Sequence, residues 1–349
     1  MIDPLFIAGL GCVLACYLGW AFKHLPGERW QMLAVVPTGK NWENRWRGTN
    51  LTYYGFFIAT SQLLALTLLL VLLGAMQVSI AGAMLAVLII LAACLPAARL
   101  VAMAVEGKRH TFTVGGASCI GILLAPPVVQ VVQGLVADRG GFLPVIPVLA
   151  AMSIAYTLGE GLGRLGCISF GCCYGKPVKD CHWLLQRLFA RRNFIFYGAT
   201  KKASYEGQLS GERLIPIQAI TSVLYTSAAL AGSLLFLSGA FTWALILTIT
   251  TTQFWRIASE TMRADFRGFG KISAYQVMGA ISVVYMVMVA CILPAPDASN
   301  PEIINGFPVL WNPLVILALQ GLWLVFFLVF GRSTITTATI SFDLIRKHI

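Results

Sequence analysis

The sequence predicts an all-α, polytopic membrane protein of about nine transmembrane helices, and three observations carry that reading. Of its 349 residues, 58% are hydrophobic and only 11% charged, whereas soluble domains run near 45–50% and about 25%. The apolar residues gather into runs of about 18 or more, the length at which a helix crosses the hydrocarbon layer with its peptide groups satisfied internally. The charge is lopsided, with 25 Lys and Arg against 14 Asp and Glu and a net charge of +11. In so apolar a chain, that excess points to anionic lipid as partner and away from nucleic acid. Disorder, a disulfide framework and a coiled coil are excluded by the same composition.

The expected spans run roughly over 5–23, 56–75, 83–105, 112–135, 142–163, 214–238, 241–262, 272–293 and 309–331. The first contains Val13, Leu14, Ala15 and Cys16, which resemble a lipoprotein cleavage box; Asp3 stands where a basic segment belongs and the apolar run continues, so a helix is expected. The fourth carries Gly115, Gly116, Gly121, Pro126 and Pro127, and a kinked or re-entrant segment is expected there. Two polar stretches are long enough to be small extramembrane structures. One is 24–54, with Trp30, Trp42 and Trp46; the other is 167–213, with Arg191, Arg192, Lys201 and Lys202. Tryptophan beside basic residues suits the headgroup layer, and a solvated basic loop is the other reading.

Nine crossings place 24 of the 25 basic residues on one face, leaving only Arg139 on the other beside Asp3, Asp138, Asp297 and Glu302. The faces then carry +14 and −3. By the positive-inside rule the basic face, with the C-terminus, is cytoplasmic.

Charges within apolar helices are costly and so mark functional sites. Glu160 and Arg164 are four apart, share a helix face and are expected to pair across a glycine-rich stretch. Arg256, Glu260 and Arg263 repeat the spacing on another helix, with Arg99 and the Tyr53-Tyr54-Gly55 mouth on the same face. Two arginines and a carboxylate at membrane depth suit a phosphate diester, because guanidinium binds phosphate oxygens through two bonds and stays charged when partly desolvated. A structural ion-pair network between helices is the competing reading.

The stretch from Arg164 to Gly175, through Gly166, Cys167, Cys172, Cys173 and Tyr174, resembles the signature of the prolipoprotein diacylglyceryl transferase family. Arg256, Glu260, Arg263 and Asp265, followed by Gln276, are similar to its second block. Tyr54-Gly55, Arg99, Gly115-Gly116 with Gly121, and Pro216 with Gln218 echo it in the same order. The resemblance implies a seven-helix core over 51–293, including the insertion 167–213, with one extra helix in 1–50 and another in 294–349. It implies transfer of the diacylglyceryl group of phosphatidylglycerol to a prolipoprotein cysteine thiol in the bacterial inner membrane, with no metal or nucleotide cofactor. Arg164 and Arg256 would hold the donor headgroup, Glu260 would orient it or accept a proton, Glu160 is a second available carboxylate, and Tyr54 would line the site. Arg99, Arg263, Gly116, Gly166, Tyr174, Gln218 and Gln276 would contact substrate.

The family's asparagine falls on Cys167 and its glutamate on Cys172; Ile120 and Ile215 stand at its histidines and Thr252 at a tyrosine. A different acceptor, cytoplasmic or lipid-linked, and a non-catalytic lipid-binding or transport role are therefore the alternatives. Cys12, Cys16, Cys94 and Cys291 read as small core hydrophobes. Cys167, Cys172, Cys173 and Cys181, beside His182, raise a zinc site or a disulfide as options. Free packed thiols are expected, because neighbouring Cys172 and Cys173 do not readily face one ion.

Overall fold

The structure, a computed structural model, describes residues 2–40, 46–106, 114–265, 272–294 and 301–333. Trp42 and the loop after the third span lie outside the described residues. In chain order the elements are α1 (Ile2–His24), β1 (Met32–Lys40), β2 (Trp46–Thr52), α2 (Tyr53–Ala75), α3 (Ile80–Glu106), α4 (Val114–Ala137), α5 (Val145–Phe170), α6 (Trp183–Phe189), α7 (Lys202–Tyr205), α8 (Ile217–Leu237), α9 (Phe241–Glu260), α10 (Ala274–Ile292), α11 (Pro313–Gly331) and β3 (Arg332–Ser333). Eight helices among the described residues are long and apolar enough to cross a membrane, and the chain is an all-α polytopic membrane protein.

The expected span 241–262 also forms a helix, α9, but Thr248, Thr250, Thr251, Thr252, Gln253 and Arg256 leave it less apolar than the other eight. Its polar side turns inward. Thr248, Thr252 and Gln253 are buried, the threonine hydroxyls donate to carbonyls one turn back, and Ser153 meets Thr248 at 2.8 Å across to α5. The hydroxyls are thus satisfied internally, as lipid requires. α5 is the most buried of the membrane helices and packs against α2, α8 and α9.

Two elements are longer or more continuous than a broken segment would be. α4 is one helix through Pro126 and Pro127, without a re-entrant break, lying along α3, where packed neighbours tolerate helix-breaking residues in an apolar span. α5 runs to Phe170, well past the expected end at 163, so the glycines between 159 and 166 do not break it and Arg164 is helical. The helix stops at Gly171, whose φ of 71° is the left-handed cap that glycine adopts without cost.

The basic segments gather at one end of the bundle. β1 and β2 form an antiparallel hairpin over the 24–54 stretch, and β3, following α11, pairs with β2 at Asn50–Ser333. Gly55 at the start of α2 lies against the backbone of Gly331, with no room for a Cβ, so this end of α11 docks directly on α2. At the far end Ser79 donates to the Phe142 carbonyl (2.9 Å) and the Ile303 amide to Asp3 (3.2 Å). Trp30, half-buried, packs edge-on against Trp20 and beside Tyr53, while Trp46 stacks beneath Lys40.

Lys201, expected in a solvated or lipid-facing basic loop, is fully buried. Its Nζ donates to the carbonyls of Ser169 (2.6 Å), Gly27 (3.1 Å) and Leu25 (3.4 Å), tying the ends of α5 and α1 together where helix carbonyls lack intrahelical partners. Burial pulls its ammonium down from 10.5 to about 8, Glu28 opposing. The folded chain then holds fewer protons than the unfolded chain between these values, so native stability rises across that pH interval. Lys201→Met is expected to remove this rise and to lower the unfolding temperature, because three buried carbonyls lose their donor at about 1–3 kcal/mol each. Thermal unfolding in detergent across pH checks both.

Candidate lipid-phosphate site

Tyr156, Glu160 and Arg164 follow one another at intervals of four on α5 and so share a face. α9 brings Gln253 and Arg256 to the same place. Glu160 Oε2 accepts from Arg164 Nη2 at 3.0 Å and from Arg256 Nη2 at 3.3 Å. Tyr156 Oη accepts from the same Arg256 Nη2 at 3.2 Å and from Gln253 Nε2 at 3.4 Å. The pair expected from the spacing of Glu160 and Arg164 is present, and Arg256 reaches across from another helix to the same carboxylate.

The electrostatics leave the cluster one positive charge in excess. Two guanidinium groups share one carboxylate, and the three side chains are only 11–15% exposed. At 1.5 Å per residue, Glu160 and Arg164 sit about 15 Å and 9 Å from the end of α5, well inside the apolar length of the helix. Among the described residues, the Nε atoms of both arginines are buried without a protein partner. Guanidinium donors left open in a low-dielectric site are strong ligands for an oxyanion. A purely structural network would spend these donors on protein acceptors, since buried polar groups normally are paired.

The other expected residues fall into three groups. Tyr54 and Gly166 are together at the α2–α5 contact: the Tyr54 carbonyl and ring lie against Gly166, the ring packs on Phe170, and Arg164 and the cysteines are near enough to act on its hydroxyl. Gln218 donates to the Cys172 carbonyl at 2.8 Å, and its buried Oε1 has no partner among the described residues, so it faces the same region. Gly116 instead packs on Val101 of α3; its neighbour Gly115 is the glycine that lies against Tyr275 and Arg256.

A second group serves the backbone. Gln276 completes a capping box with Ser273 and donates to the Ile257 carbonyl (3.1 Å), holding α10 to α9. Tyr174 is buried, with its hydroxyl against Gly207 and its carbonyl accepting from Ala264. Arg99 is exposed on α3. The third group departs from the expected helix spacing: α9 ends at Glu260, so Arg263 is not a further turn of it. Arg263 bridges to Gly175 in backbone pairing and clasps Asp265 through two 2.8 Å bonds. Glu260 makes no ion pair among the described residues; Arg256, its expected partner, points to Glu160.

Tyr156, Gln253 and Gly115 complete the site without having been singled out as its members. Tyr156 carried a usable signal, being one turn before Glu160 on the same face, and Gln253 precedes Arg256 by three. Tyr225 of α8 donates to the Thr252 carbonyl at 2.7 Å and lies near both arginines, bringing a tyrosine to the place where Thr252 stands.

The cysteines are free thiols, and one expectation about their placement changes. The sulfurs of Cys167, Cys172 and Cys173 lie within 4.8 Å of one another, while Cys181 bonds the Pro177 carbonyl and His182 caps α6. Cys172 and Cys173 do face one point, because Cys173 adopts a left-handed φ of 55° that turns its side chain back. Hydrogen bonds from Cys167 and Cys172, with Arg263 and Arg164 nearby, hold the Cys173 thiol well below its ordinary value against burial. The Cys172 thiol is pushed up by its bonds with the other two and by burial.

No curated protein matches the chain in sequence. The family model for prolipoprotein diacylglyceryl transferase matches residues 45–293, a stretch that includes both arginines and Glu160. With most of its length matched, and with its membrane helices arranged around the buried arginine pair, the chain belongs to the prolipoprotein diacylglyceryl transferase family, a family of transferases.

Proposed function

We propose that the protein transfers the diacylglyceryl group of phosphatidylglycerol to a thiol, by family default the cysteine of a prolipoprotein, in the bacterial inner membrane. One observation carries the reading: two guanidinium groups meet on Glu160 within the apolar length of α5, with both Nε donors buried and without a partner among the described residues. The donor's phosphate would take those donors. As the acceptor sulfur bonds to the glycerol carbon, the carbon–oxygen bond to phosphate breaks and glycerol phosphate leaves with the electron pair. Fixed cations lower the barrier by stabilising the charge that grows on that phosphate.

Glu160 is committed to two arginines, which leaves Glu260 as the carboxylate to take the thiol proton. Phosphatidylglycerol labelled in its acyl chains, a lipobox peptide and purified protein test the reading. A thioether-linked diacylglyceryl peptide with stoichiometric glycerol phosphate is expected. Release of neither product, with lipid still bound, would establish a lipid-binding role instead.

The basic segments at the α5, α9 and α11 ends favour a second reading of the acceptor. If that end is cytoplasmic, as its charge argues, the site opens toward a cytoplasmic or lipid-linked acceptor. A membrane-impermeant maleimide applied to intact cells is expected to leave Cys181 unmodified. Modification would turn the basic end outward and restore exported prolipoproteins as the sole candidates.

A further inference from the structure

The cysteine cluster lies beside the arginine site, and the transfer reaction described above assigns it no task. Its convergence is built into the backbone. Gly171 N–H bonds to Ile168 O and Cys172 N–H to Cys167 O, the paired bonds of a helix end closed by a left-handed residue. That motif brings the residue after the cap into contact with one in the last helical turn. Here those two residues are Cys172 and Cys167, and the left-handed backbone at Cys173 adds a third sulfur. Cys167 is buried and the other two are half-buried.

We propose that Cys167, Cys172 and Cys173 form a trithiolate site for a thiophilic metal ion, Cu(I) or Zn(II). Metal–sulfur bonds of about 2.3 Å in tetrahedral geometry set sulfur–sulfur edges of about 3.8 Å. The observed spacing of at most 4.8 Å therefore needs movements of roughly 1 Å or less, within the reach of small side-chain rotations. Soft thiolate ligands select such ions over magnesium, calcium or manganese. On binding, three S–H bonds break, three metal–sulfur bonds form and three protons leave to solvent, with no change of oxidation state.

The charge is offset in part by neighbouring cations. A trithiolate carries three negative charges, so the complex keeps two with Cu(I) and one with Zn(II). Arg164 Nη1 contacts Cys173 Sγ at 3.9 Å, and Arg263 is close enough to act on the same sulfur. Both guanidinium groups also pair with carboxylates, Arg164 with Glu160 and Arg263 with Asp265, so they offset the buried anionic complex in part, with the one positive charge in excess at the arginine cluster beside it. The ion would also stiffen the turn from Gly171 to Gly175, which is joined to Arg263 by backbone pairing and to Met262 through the Lys176 amide.

The test uses the full chain in detergent, reduced and desalted, titrated with Zn(II) or with Cu(I). One ion per chain is expected for at least one of them, with thiolate-to-metal absorption in the ultraviolet. Mass spectrometry after maleimide treatment should show Cys167, Cys172 and Cys173 protected by the ion and Cys12, Cys16 and Cys291 unaffected. Cys173→Ser is expected to weaken binding by at least about tenfold and Cys181→Ser to leave it unchanged. If Cys173→Ser does not elute as folded protein, the protection pattern of the wild-type chain decides alone. Uptake of neither ion, or uptake without protection of these three thiols, overturns the proposal, as does a disulfide among them that resists reduction.

Discussion

Arg164→Ala is expected to lower diacylglyceryl transfer by about 10²–10³-fold, the loss typical when one fixed donor to a developing oxyanion is removed. The fold should persist, because Glu160 keeps Arg256 as its partner and the alanine continues α5. Phosphatidylglycerol binding should weaken with it, since the same guanidinium would hold the ground-state phosphate. Arg164→Lys is expected to recover only part of the activity: an ammonium supplies the charge but not the planar fork that serves Glu160 and a phosphate together. Transfer rates and lipid binding, measured on protein that elutes as one species, check these points. A loss of less than about tenfold, as for a surface charge, would remove Arg164 from the site.

Glu160→Gln should show the second large effect, on a different axis. The carboxylate is the only acidic group among the described residues that pairs with either site arginine. Its neutralisation leaves two guanidinium groups facing each other in a low dielectric, and breaking a buried pair in this way costs about 3–5 kcal/mol. A markedly lower unfolding temperature is expected together with loss of transfer. Glu260→Gln is the contrasting variant. With no ion pair to lose among the described residues, it should leave thermal unfolding near that of the wild type while reducing transfer strongly. Equal losses of stability in both variants would assign Glu260 to a structural network instead.

The helices were readable because apolar runs of membrane length have few alternatives in lipid, and even α9 lies where its sequence places it. The Glu160–Arg164 pair was readable for a similar reason, since residues four apart on a helix are neighbours whatever surrounds them. The same rule misled for Arg256. Spacing sees partners only within one helix, so Glu260 was its expected mate, whereas the contact with Glu160 depends on how α9 packs on α5. Arg263 looked helical because Thr261 and Met262 contain no glycine or proline to mark the end of α9.

Lys201 and the cysteines were obscured by tertiary convergence. A lysine next to a second lysine in a polar stretch reads as solvated, and only the meeting of α1 and α5 supplies the three carbonyls that bury it. Adjacent cysteines normally diverge, and a non-glycine residue in the left-handed region, as at Cys173, is uncommon enough that sequence alone gives no reason to expect it. The glycine pair shows the limit at finer scale: Gly115 and Gly116 are equivalent in sequence, and helix rotation alone puts Gly115, not Gly116, against Arg256.

The proposed transfer requires that Arg164 and Arg256 together hold the phosphate of an anionic glycerophospholipid. An experimental structure of the protein in nanodiscs containing phosphatidylglycerol tests this most directly. Phosphate density is expected within about 3 Å of guanidinium nitrogens of both arginines, with their open Nε donors engaged. Lipid phosphate resolved elsewhere, with both arginines contacting only protein, would contradict it.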